Sequence, residues 1–376
     1  DKPTWLTYIN NTIAFSILLL LRLLLRPSVK GTNILFINTG QIGDLIISSV
    51  VFRNAELIKK IYGKIYLLVK KEYGELVESY SDINVIKWDY KKYKYNILYR
   101  VKFLGELRRL GISDCYNLTA ARGVTVDELS LLSGAKNIYA LNSNFRYLKK
   151  LFGKVIDNMY SDILAGNIEN EFEKNLAVLK YLGIKNYKTE TYLKINSSVL
   201  QKIKAILKPF ENNIKIVIAP FTELKIKNWG KEKYKDLIKS ILETNNNAVI
   251  FLLGTKSMMS EIDALSFSYS KRVINLAGKY GIIESAAILY YSDLFIGNDS
   301  GFTHIAKALS QPLIGIIGGG SNGYFIPYSP KQEEVYLFKM MDCFKCEWRC
   351  IHKKPYCLTD VSVDEVLGNV NELLIN

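Results

Sequence analysis

The residue types most suited to chemistry lie in one short segment, residues 297–309, which follows a brief apolar run. An apolar run, a polar loop and a helix-like segment in this order predict a strand, a tight turn and a helix. Asp299 and Ser300 are residue types that cap a helix start, and Gly301 has no side chain to block an approaching anion. Exposed N–H groups and the helix dipole would then bind a phosphate group. His304 lies one turn after Ser300 and should reach the same opening.

A second interpretation of this segment remains open from its own residues. Asp299 and Ser300 could serve only as caps, because capping is the commonest use of these residue types. His304 would then be a partly buried helical residue.

Asp44 is the candidate for proton transfer. Residues 33–38 predict a buried strand, residues 40–43 predict a tight glycine turn, and Asp44 begins a predicted helix that ends near Tyr62. Ligands of open α/β folds bind at the carboxyl ends of the strands, where this order places Asp44. The alternative is that Asp44 only caps its helix.

Three segments together resemble the lipopolysaccharide heptosyltransferases, glycosyltransferase family nine. They are Gly40-Gln41-Ile42-Gly43-Asp44, then Ala219-Pro220-Phe221-Thr222 with Lys227-Asn228-Trp229, and the pattern Gly-Asn-Asp-Ser-Gly-x-x-His-x-Ala-x-Ala-Leu from Gly297 to Leu309. They occur in the family's order, and the resemblance extends from about Thr32 to the C-terminus. Each segment alone is a weak signal, whereas the three in order are specific.

The resemblance implies an α/β chain with the GT-B fold, in which two Rossmann-like, doubly wound domains face a central cleft. It implies an inverting glycosyltransferase that moves a heptose-like sugar from a nucleoside-diphosphate donor, ADP-heptose, to a lipopolysaccharide or another surface-glycan acceptor. No cofactor would be required for catalysis. The alternatives are a nucleotide-sugar epimerase of the same fold and a non-catalytic glycan-binding protein.

The resemblance also implies the residues that bind the donor, which are Thr222, Lys227, Glu261, Tyr280, Asp299, Ser300, Gly301 and His304. Thr222 and Lys227 would contact phosphate, with Lys225 in place of Lys227 if the register of this lysine-rich loop is shifted. Tyr280 would lie against the nucleobase, and Glu261 would bind the ribose.

On the acceptor side, Asp44 matches the family's proposed general base, and Gly43 lies beside it. Arg122 follows the fourth predicted strand, so we expect it at the same sheet edge, bound to an anionic group of the acceptor. A solvated loop arginine is an equal alternative. Residues 318–328 depart from the loop common in the core-oligosaccharide enzymes, and we expect glycines 318–320 to let the backbone approach the donor.

The charge balance limits the class of partner. Lys and Arg number 50 against 36 Asp and Glu, which gives a net charge of +14. This excess suits an anionic partner such as a nucleotide sugar, an anionic glycolipid or a membrane surface. The lysines are scattered and no nucleic-acid recognition motif is present, so we expect no nucleic-acid partner.

Residues 5–25 are strongly apolar, Arg22 interrupts the run, and Pro27 stops a helix. The apolar run is too short to span a bilayer, which needs about 20 such residues. We expect a helix that lies in the inner membrane surface, which makes the protein cytoplasmic and peripheral at that membrane. A helix docked on the protein's own core is the alternative, and the lack of a small-residue cleavage site argues against a signal peptide.

Four of the five cysteines lie within fifteen residues, at Cys343, Cys346, Cys350 and Cys357. Their number and spacing predict a structural zinc or iron site that is remote from catalysis. Free thiols or disulfides are the alternative. A cluster of reduced thiols also favours the cytoplasm.

Alternating apolar and amphipathic stretches predict two doubly wound parallel sheets. The first has predicted strands at 33–38, 64–69, 84–88, 114–118 and 137–141, with helices at 44–62, 72–80, 97–110 and 126–132. The second has predicted strands at 215–219, 248–253, 273–276, 294–296 and 313–317, with helices at 231–242, 258–268, 282–289 and after residue 301. We therefore expect an N-terminal helix in residues 1–30, an acceptor-side domain in 31–190, and a donor-binding domain in 191–376 with a cysteine-rich loop at 343–357.

Overall fold

The computed structural model describes residues 13, 16–22, 24, 31–143, 154–266 and 271–375. The chain divides into two compact units, Asp1–Thr189 and Glu190–Asn376. Each unit is built on a parallel six-stranded sheet with helices between its strands, which confirms the prediction of two doubly wound α/β domains. Much of the predicted N-terminal helix, and residues 267 and 268 of the predicted helix 258–268, lie outside the described residues.

The sheet of unit 1 has the strand order β3-β2-β1-β4-β5-β6. Its strands are β1 (Asn33–Asn38), β2 (Ile65–Lys70), β3 (Ile83–Trp88), β4 (Ile112–Asn117), β5 (Asn137–Leu141) and β6 (Asp162–Leu164). The order reverses between β1 and β4, so the loops after these two strands lie side by side. The backbone N–H of Thr39 donates to Oγ1 of Thr119 at 3.1 Å across this point. Ligands of such sheets bind at this kind of switch point.

Helices cover the sheet of unit 1. Residues 13, 16–22 and 24 are helical and are named α1 here. The helices that follow are α2 (Ile42–Phe52), α3 (Ala55–Ile58), α4 (Tyr90–Tyr95), α5 (Ile97–Arg108), α6 (Val124–Leu131), α7 (Lys154–Asp157) and α8 (Glu171–Tyr181), with a 3₁₀ helix at Lys71–Leu76. Among the described residues, we find no helix whose length and apolarity would let it cross a membrane.

The sheet of unit 2 has the order β12-β11-β10-β7-β8-β9. Its strands are β7 (Ile214–Ala219), β8 (Ala248–Leu252), β9 (Val273–Asn275), β10 (Leu294–Asn298), β11 (Leu313–Ile316) and β12 (Glu334–Leu337). Here the order reverses between β7 and β10. The loops that carry Thr222, Lys227 and Asp299 therefore meet at the switch point of this sheet.

Unit 2 contains the helices α9 (Ser197–Leu207), α10 (Lys231–Thr244), α11 (Met259–Ser266), α12 (Ile282–Tyr290), α13 (Gly301–Ala308), α14 (Tyr356–Thr359) and α15 (Val363–Ile375). Short 3₁₀ helices lie at Lys208–Phe210, Lys225–Lys227 and Lys256–Met258. Val366 and Val370 of α15 are buried in the same core cluster as the strands, so the C-terminal helix completes the domain.

Two differences from the predicted elements have local causes. The predicted helix at 72–80 is a 3₁₀ helix at Lys71–Leu76. Gly74, inside this segment, lowers its helix propensity and packs against the Lys87 side chain. The strand β12 was not predicted, because Glu334–Leu337 is short and begins with a charged residue whose burial requires Lys307 as its ion-pair partner.

Candidate active site

Lys227 and Asp299 form an ion pair at the carboxyl edge of the second sheet. Nζ of Lys227 lies 2.6 Å from Oδ2 of Asp299, and Oγ of Ser321 donates to the same oxygen at 2.9 Å. Burial alone would raise the pKa of Asp299, but the nearby positive charge of Lys227 and these hydrogen bonds more than offset it, so this pKa lies below its ordinary value. Asp299 is therefore a buried carboxylate that holds Lys227 in place.

Helix α13 begins without a side-chain cap. Ser300 is its N-cap residue, but the Ser300 side chain makes no capping hydrogen bond. Its buried Oγ has no hydrogen-bond partner among the described residues, and the Asp299 carboxylate is engaged by Lys227 and Ser321. These contacts do not support the interpretation that the two side chains serve only as helix caps. An uncapped N-terminus keeps its N–H groups and its positive dipole end available to an anion.

His304 is a neutral histidine in the first turns of α13. It is only 3% exposed, and burial lowers its pKa to about 4. Its ring stacks on Tyr328 with centroids 6.1 Å apart. Nδ1 has no hydrogen-bond partner in the part of the chain that the structure describes. Nδ1 and the Ser300 hydroxyl are therefore two polar atoms near the start of α13 that could bind a ligand.

Asn298 and Asn228 fix the two loops that meet at this edge. Asn298 donates from Nδ2 to the carbonyl of Pro220 at 2.6 Å and accepts from the Trp229 N–H at 3.1 Å. Oδ1 of Asn228 accepts from the backbone N–H of Thr222 at 2.7 Å. Asn298 and Asn228 lie in the family-like segments, but their part in joining the loops could not be inferred from the pattern.

Thr222 is buried, and its hydroxyl donates to the carbonyl of Leu224 at 2.8 Å. Tyr280 is half-buried just before α12, and Glu261 is exposed in α11, after the loop that follows β8. The structure thus brings together Thr222, Lys227, Asp299, Ser300, Gly301 and His304 around one switch point. The roles of Tyr280 at the nucleobase and Glu261 at the ribose stay predictions.

The cysteine-rich segment, residues 343–357, packs on the glycine segment, residues 318–320. The backbone N–H groups of Lys345 and Glu347 donate to the carbonyls of Gly319 and Gly320 at 2.7 and 2.8 Å. A Cβ atom on Gly318 or Gly320 would overlap the Trp348 ring. Gly318 and Gly320 therefore make room for this ring, and their approach to the donor stays a prediction.

Trp348 connects this segment to the ion pair. Its Nε1 donates to Oγ of Ser321 at 3.2 Å, and Nζ of Lys227 lies 5.3 Å from its ring centroid. The cysteine-rich segment, where we predicted a metal site remote from catalysis, therefore lies against the Lys227–Asp299 pair. No sequence signal connects positions this far apart in the chain, so Trp348 and Ser321 were missed.

Cys343, Cys346, Cys350 and Cys357 line one cavity of about 10 Å³. However, no three His, Cys, Asp or Glu side chains among the described residues form a group that could hold a metal ion. The predicted zinc or iron site is thus not supported by this geometry. Sγ of Cys357 instead accepts from the backbone N–H of Gly319 at 3.2 Å, and burial raises the pKa of this thiol.

Asp44 lies in the first turn of α2, at the switch point of the first sheet. Gln41 is the N-cap residue, and Asp44 at the third helical position completes a capping box with it, so Asp44 does contribute to capping this helix. Oδ2 of Asp44 accepts from the Gln41 N–H at 2.7 Å, which fixes the direction of the carboxylate. A Cβ atom at Gly40 would overlap this carboxylate, so the turn requires glycine at position 40.

Charged residues that the sequence did not indicate lie near Asp44. Lys70 ends β2; burial lowers its pKa, and the Asp44 carboxylate partly offsets this. Glu171 and Lys174 of α8 are buried and paired at 2.7 Å, and Lys174 also donates to the carbonyl of Asn142. Burial raises the pKa of Glu171 to about 7, and the Asp44 charge contributes. The Asp44 carboxylate thus interacts electrostatically with Lys70 and Glu171.

Arg122 does not have the role that we expected. It is 3% exposed, its Nη2 lies 2.6 Å from Oδ1 of Asp157, and its Nη1 lies 3.6 Å from Oδ1 of Asp127. Its guanidinium group also lies 5.0 Å from the Tyr160 ring centroid. Arg122 therefore ties helices α6 and α7 to the interior of unit 1 and presents no surface to an acceptor.

Residues 163–354, about half of the chain, match the family model for glycosyltransferase family 9 (heptosyltransferase). The chain belongs to glycosyltransferase family 9. The matched range contains Lys227, Asp299, His304 and Trp348, but not Asp44. Membership confirms that the protein is a glycosyltransferase, as the sequence segments predicted, and it supports neither the epimerase nor the non-catalytic alternative.

Two relatives illustrate how far the likeness extends. This glycosyltransferase is 25% identical over 361 residues to lipopolysaccharide heptosyltransferase 1 of Campylobacter coli. The alignment covers 91% of this chain and 98% of that protein. It is 26% identical over 159 residues to lipopolysaccharide heptosyltransferase 3 of Escherichia coli K12. The second match spans 42% of this chain and less than half, 46%, of that relative.

Solved structures share the fold of this glycosyltransferase. The family 9 glycosyl transferase of Veillonella parvula aligns with a TM-score of 0.77 at 16% identity, over 93% of this chain and 99% of that one. Escherichia coli heptosyltransferase WaaC with ADP-2-deoxy-2-fluoro heptose aligns with a TM-score of 0.66 at 14% identity, over 90% of this chain and 99% of that one. The dodecameric iron-containing glycosyltransferase TibC of Escherichia coli aligns with a TM-score of 0.55 at 14% identity, over 93% of this chain and 78% of that one. These likenesses confirm the GT-B fold.

Proposed function

We propose that this glycosyltransferase moves a heptose from ADP-heptose to a lipopolysaccharide or related surface-glycan acceptor, with inversion at the anomeric carbon. The observation that carries the donor half of the proposal is the open start of α13, where Ser300 Oγ and His304 Nδ1 lack partners beside the Lys227–Asp299 pair. The heptose and the acceptor come from the names of relatives, which are lipopolysaccharide heptosyltransferases, and from the bound ADP-heptose analogue of one solved neighbour.

The donor diphosphate would bind at the N-terminus of α13. The N–H groups of Gly301 and the residues after it, with the helix dipole, favour negative charge there. The Lys227 ammonium group has three N–H donors, so it can bind a phosphate oxygen while it stays paired with Asp299. Ser300 and neutral His304 would supply hydrogen bonds. These groups stabilise the charge that builds up on the diphosphate as it leaves.

Asp44 would act as the general base. An alcohol is a poor nucleophile until its proton is removed, so Asp44 takes the proton of the acceptor hydroxyl. The oxygen attacks the anomeric carbon as the bond from that carbon to the diphosphate oxygen breaks, and the nucleoside diphosphate leaves. A single displacement of this kind inverts the anomeric carbon. Lys70, near Asp44, replaces Arg122 as our candidate for binding an anionic group of the acceptor.

The acceptor is a membrane glycolipid in this proposal, so the enzyme would work at the cytoplasmic face of the inner membrane. Leu18 of α1 is buried in the core of unit 1, as the docked-helix alternative requires. Other apolar side chains of α1 are exposed, which supports peripheral attachment through the opposite side of the same helix.

Calorimetry followed by a transfer assay tests the function. ADP should bind, and UDP and GDP should bind at least about tenfold more weakly, since a base pocket that matches one base leaves polar groups unpaired with another. ADP-heptose with a heptose-deficient lipopolysaccharide core should then give a product whose new glycosidic bond has the inverted configuration by NMR. Preference for UDP-sugars, or a retained configuration, would contradict the proposal.

A further inference from the structure

One side of α1 exposes a regular apolar stripe. Ile13, Ile17, Leu20 and Leu24 are 55, 50, 57 and 67% exposed, and they follow each other at steps of four, three and four residues. This spacing places all four on one side of a helix. Leu18, at 2% exposure, points to the core. The four residues, named the α1 stripe, are therefore not the side by which this helix packs on unit 1.

Helix α5 exposes a second apolar surface. Ile97, Leu98 and Val101 are 66, 79 and 63% exposed, and together they are named the α5 patch. Phe103 and Leu107 of the same helix are buried in the core of unit 1. The α5 patch therefore lies on the side of α5 that faces away from the core. Monomeric proteins rarely expose a contiguous apolar surface without a use for it.

The two surfaces belong to neighbouring helices. Leu18 of α1 lies in the same core cluster as Phe103 and Leu107 of α5. Arg22 of α1 is close enough to Arg108 of α5 for its pKa to be lowered, first by burial and then by the Arg108 charge. Both helices thus contribute to one core cluster of unit 1, and each exposes an apolar row.

The charges around the α5 patch indicate what covers it. Between residues 90 and 110 the sequence has seven Lys and Arg but one acidic residue, Glu106, and of the seven Arg100 pairs with Glu128 and Lys102 with Glu106. Nζ of Lys94 lies 5.1 Å from the ring centroid of Tyr95, which is 77% exposed. Aliphatic and tyrosine side chains among lysines match the boundary between the acyl chains and anionic headgroups of a bilayer. A second copy of this chain would bring the same positive charges into contact, which is unfavourable.

We propose that the α5 patch and the α1 stripe together form one docking surface for a bilayer that contains anionic lipid. The apolar side chains enter the acyl boundary, and the lysines and arginines around them bind phosphate groups of the lipids. This deepens the peripheral attachment stated above, since it assigns a second helix to it. It does not depend on which sugar or acceptor the enzyme uses.

Vesicle binding of the full chain tests the docking surface. Two variants remove exposed apolar groups without touching the core: Ile97→Ser with Leu98→Ser, and Ile17→Ser with Leu20→Ser. The control, Ile61→Ser with Ile375→Ser, removes exposed apolar groups at positions that are 53 and 84% exposed and lie outside both surfaces. Each protein is sedimented with vesicles of phosphatidylcholine alone and with about one third phosphatidylglycerol.

Both test variants should need about tenfold more anionic lipid for half-maximal binding, because two side chains no longer leave water. The control should bind as the parent does, and high salt should weaken binding of the parent. Loss of binding in the α1 variant alone would keep the peripheral attachment and overturn the role of α5. Equal binding of the parent to both kinds of vesicle would also overturn the inference. Sedimentation velocity gives a further test. A dimeric parent and a monomeric α5 variant would also overturn the inference, since a second copy of the chain would then cover the α5 patch.

Discussion

Nε1 of Trp348 lies 3.2 Å from Oγ of Ser321, and that hydroxyl donates to the Asp299 carboxylate. Trp348 has a positive φ of 62°, as have Lys345 and Glu347 at 64° and 51°. Such angles cost roughly 1–2 kcal/mol for a residue with a side chain. The cysteine-rich segment is thus held in an unfavourable conformation that brings an indole ring against the candidate phosphate site.

Trp348→Ala should weaken binding of ADP about five- to thirtyfold. It removes the ring beside the Lys227 ammonium group and the hydrogen bond to Ser321, which together contribute roughly 1–2 kcal/mol. Trp348→Phe keeps an aromatic ring and should lose less. Calorimetry with ADP measures both variants, and equal affinity in all three proteins would show that the cysteine-rich segment does not act on the donor site.

Lys227→Ala should weaken ADP binding at least about tenfold, since a charge-assisted hydrogen bond contributes roughly 1.5–3 kcal/mol. Lys225→Ala is the matched control, because Lys225 is exposed in the same 3₁₀ helix, whereas Lys227 is the lysine that pairs with Asp299. It should bind ADP as the parent does. The reverse order of the two lysines would mean that Lys225 contacts the diphosphate.

Lys227→Ala also leaves Asp299 buried without its cation, which should lower the free energy of unfolding by several kcal/mol. The double variant Lys227→Ala with Asp299→Asn removes the unpaired charge and should recover part of that stability while ADP binding stays weak. Thermal unfolding and calorimetry on both proteins separate the two effects. Recovery of ADP binding in the double variant would argue against direct contact of Lys227 with phosphate.

Asp44→Asn should lower turnover about a hundred- to ten-thousandfold, the usual cost of losing a general base, and should keep ADP affinity. The amide oxygen can still accept from the Gln41 N–H, so the start of α2 should stay intact. Asp82→Asn, at an aspartate of unit 1 that pairs with Lys59, is the control. Turnover that survives in Asp44→Asn would remove Asp44 from the proton-transfer step.

His304 should make the protein less stable in acid. Its pKa is about 4 in the folded protein against 6.5 ordinarily, so the unfolded chain binds the proton more tightly. The stability that comes from burying the neutral ring is complete above pH 6.5 and falls by about 3 kcal/mol as the pH drops to about 4. Urea unfolding of the parent and His304→Gln at pH 7 and pH 4 should show this difference. His352→Gln, at an exposed histidine, should behave as the parent.

Variants at Lys70 and Arg122 should distinguish a role in acceptor binding from a role in the stability of unit 1. Lys70→Ala should raise KM for the acceptor roughly tenfold with little change in thermal stability, because it removes a half-buried cation near Asp44.

Arg122→Ala should destabilise unit 1 by roughly 3–5 kcal/mol, because Asp127 and Asp157 lose a buried cation. Arg122→Lys tests the opposite role. If Arg122 bound the acceptor, this variant would raise KM for the acceptor and leave the stability of unit 1 unchanged.

The switch-point residues were predictable because each lies directly after an apolar strand. In a parallel sheet the carboxyl ends of neighbouring strands meet at one edge, so Asp44, Thr222 and Asp299 could be placed there from the order of segments alone. Whether Asp299 caps α13 or binds Lys227 was not predictable, because both uses require the same residue type at the same position. Its burial and the 2.6 Å contact with Lys227 decided between them.

The sequence by itself determined the fold class, the family and the loops that carry the candidate chemistry, since periodicity and short glycine-rich motifs are local properties of the chain. The tertiary structure decided which side chains remain accessible. It buried Arg122 between two aspartates, placed Lys70 near Asp44, and set Trp348 against Ser321. These contacts join residues that are distant in sequence, and their energies depend on burial and on distance, which no local pattern records.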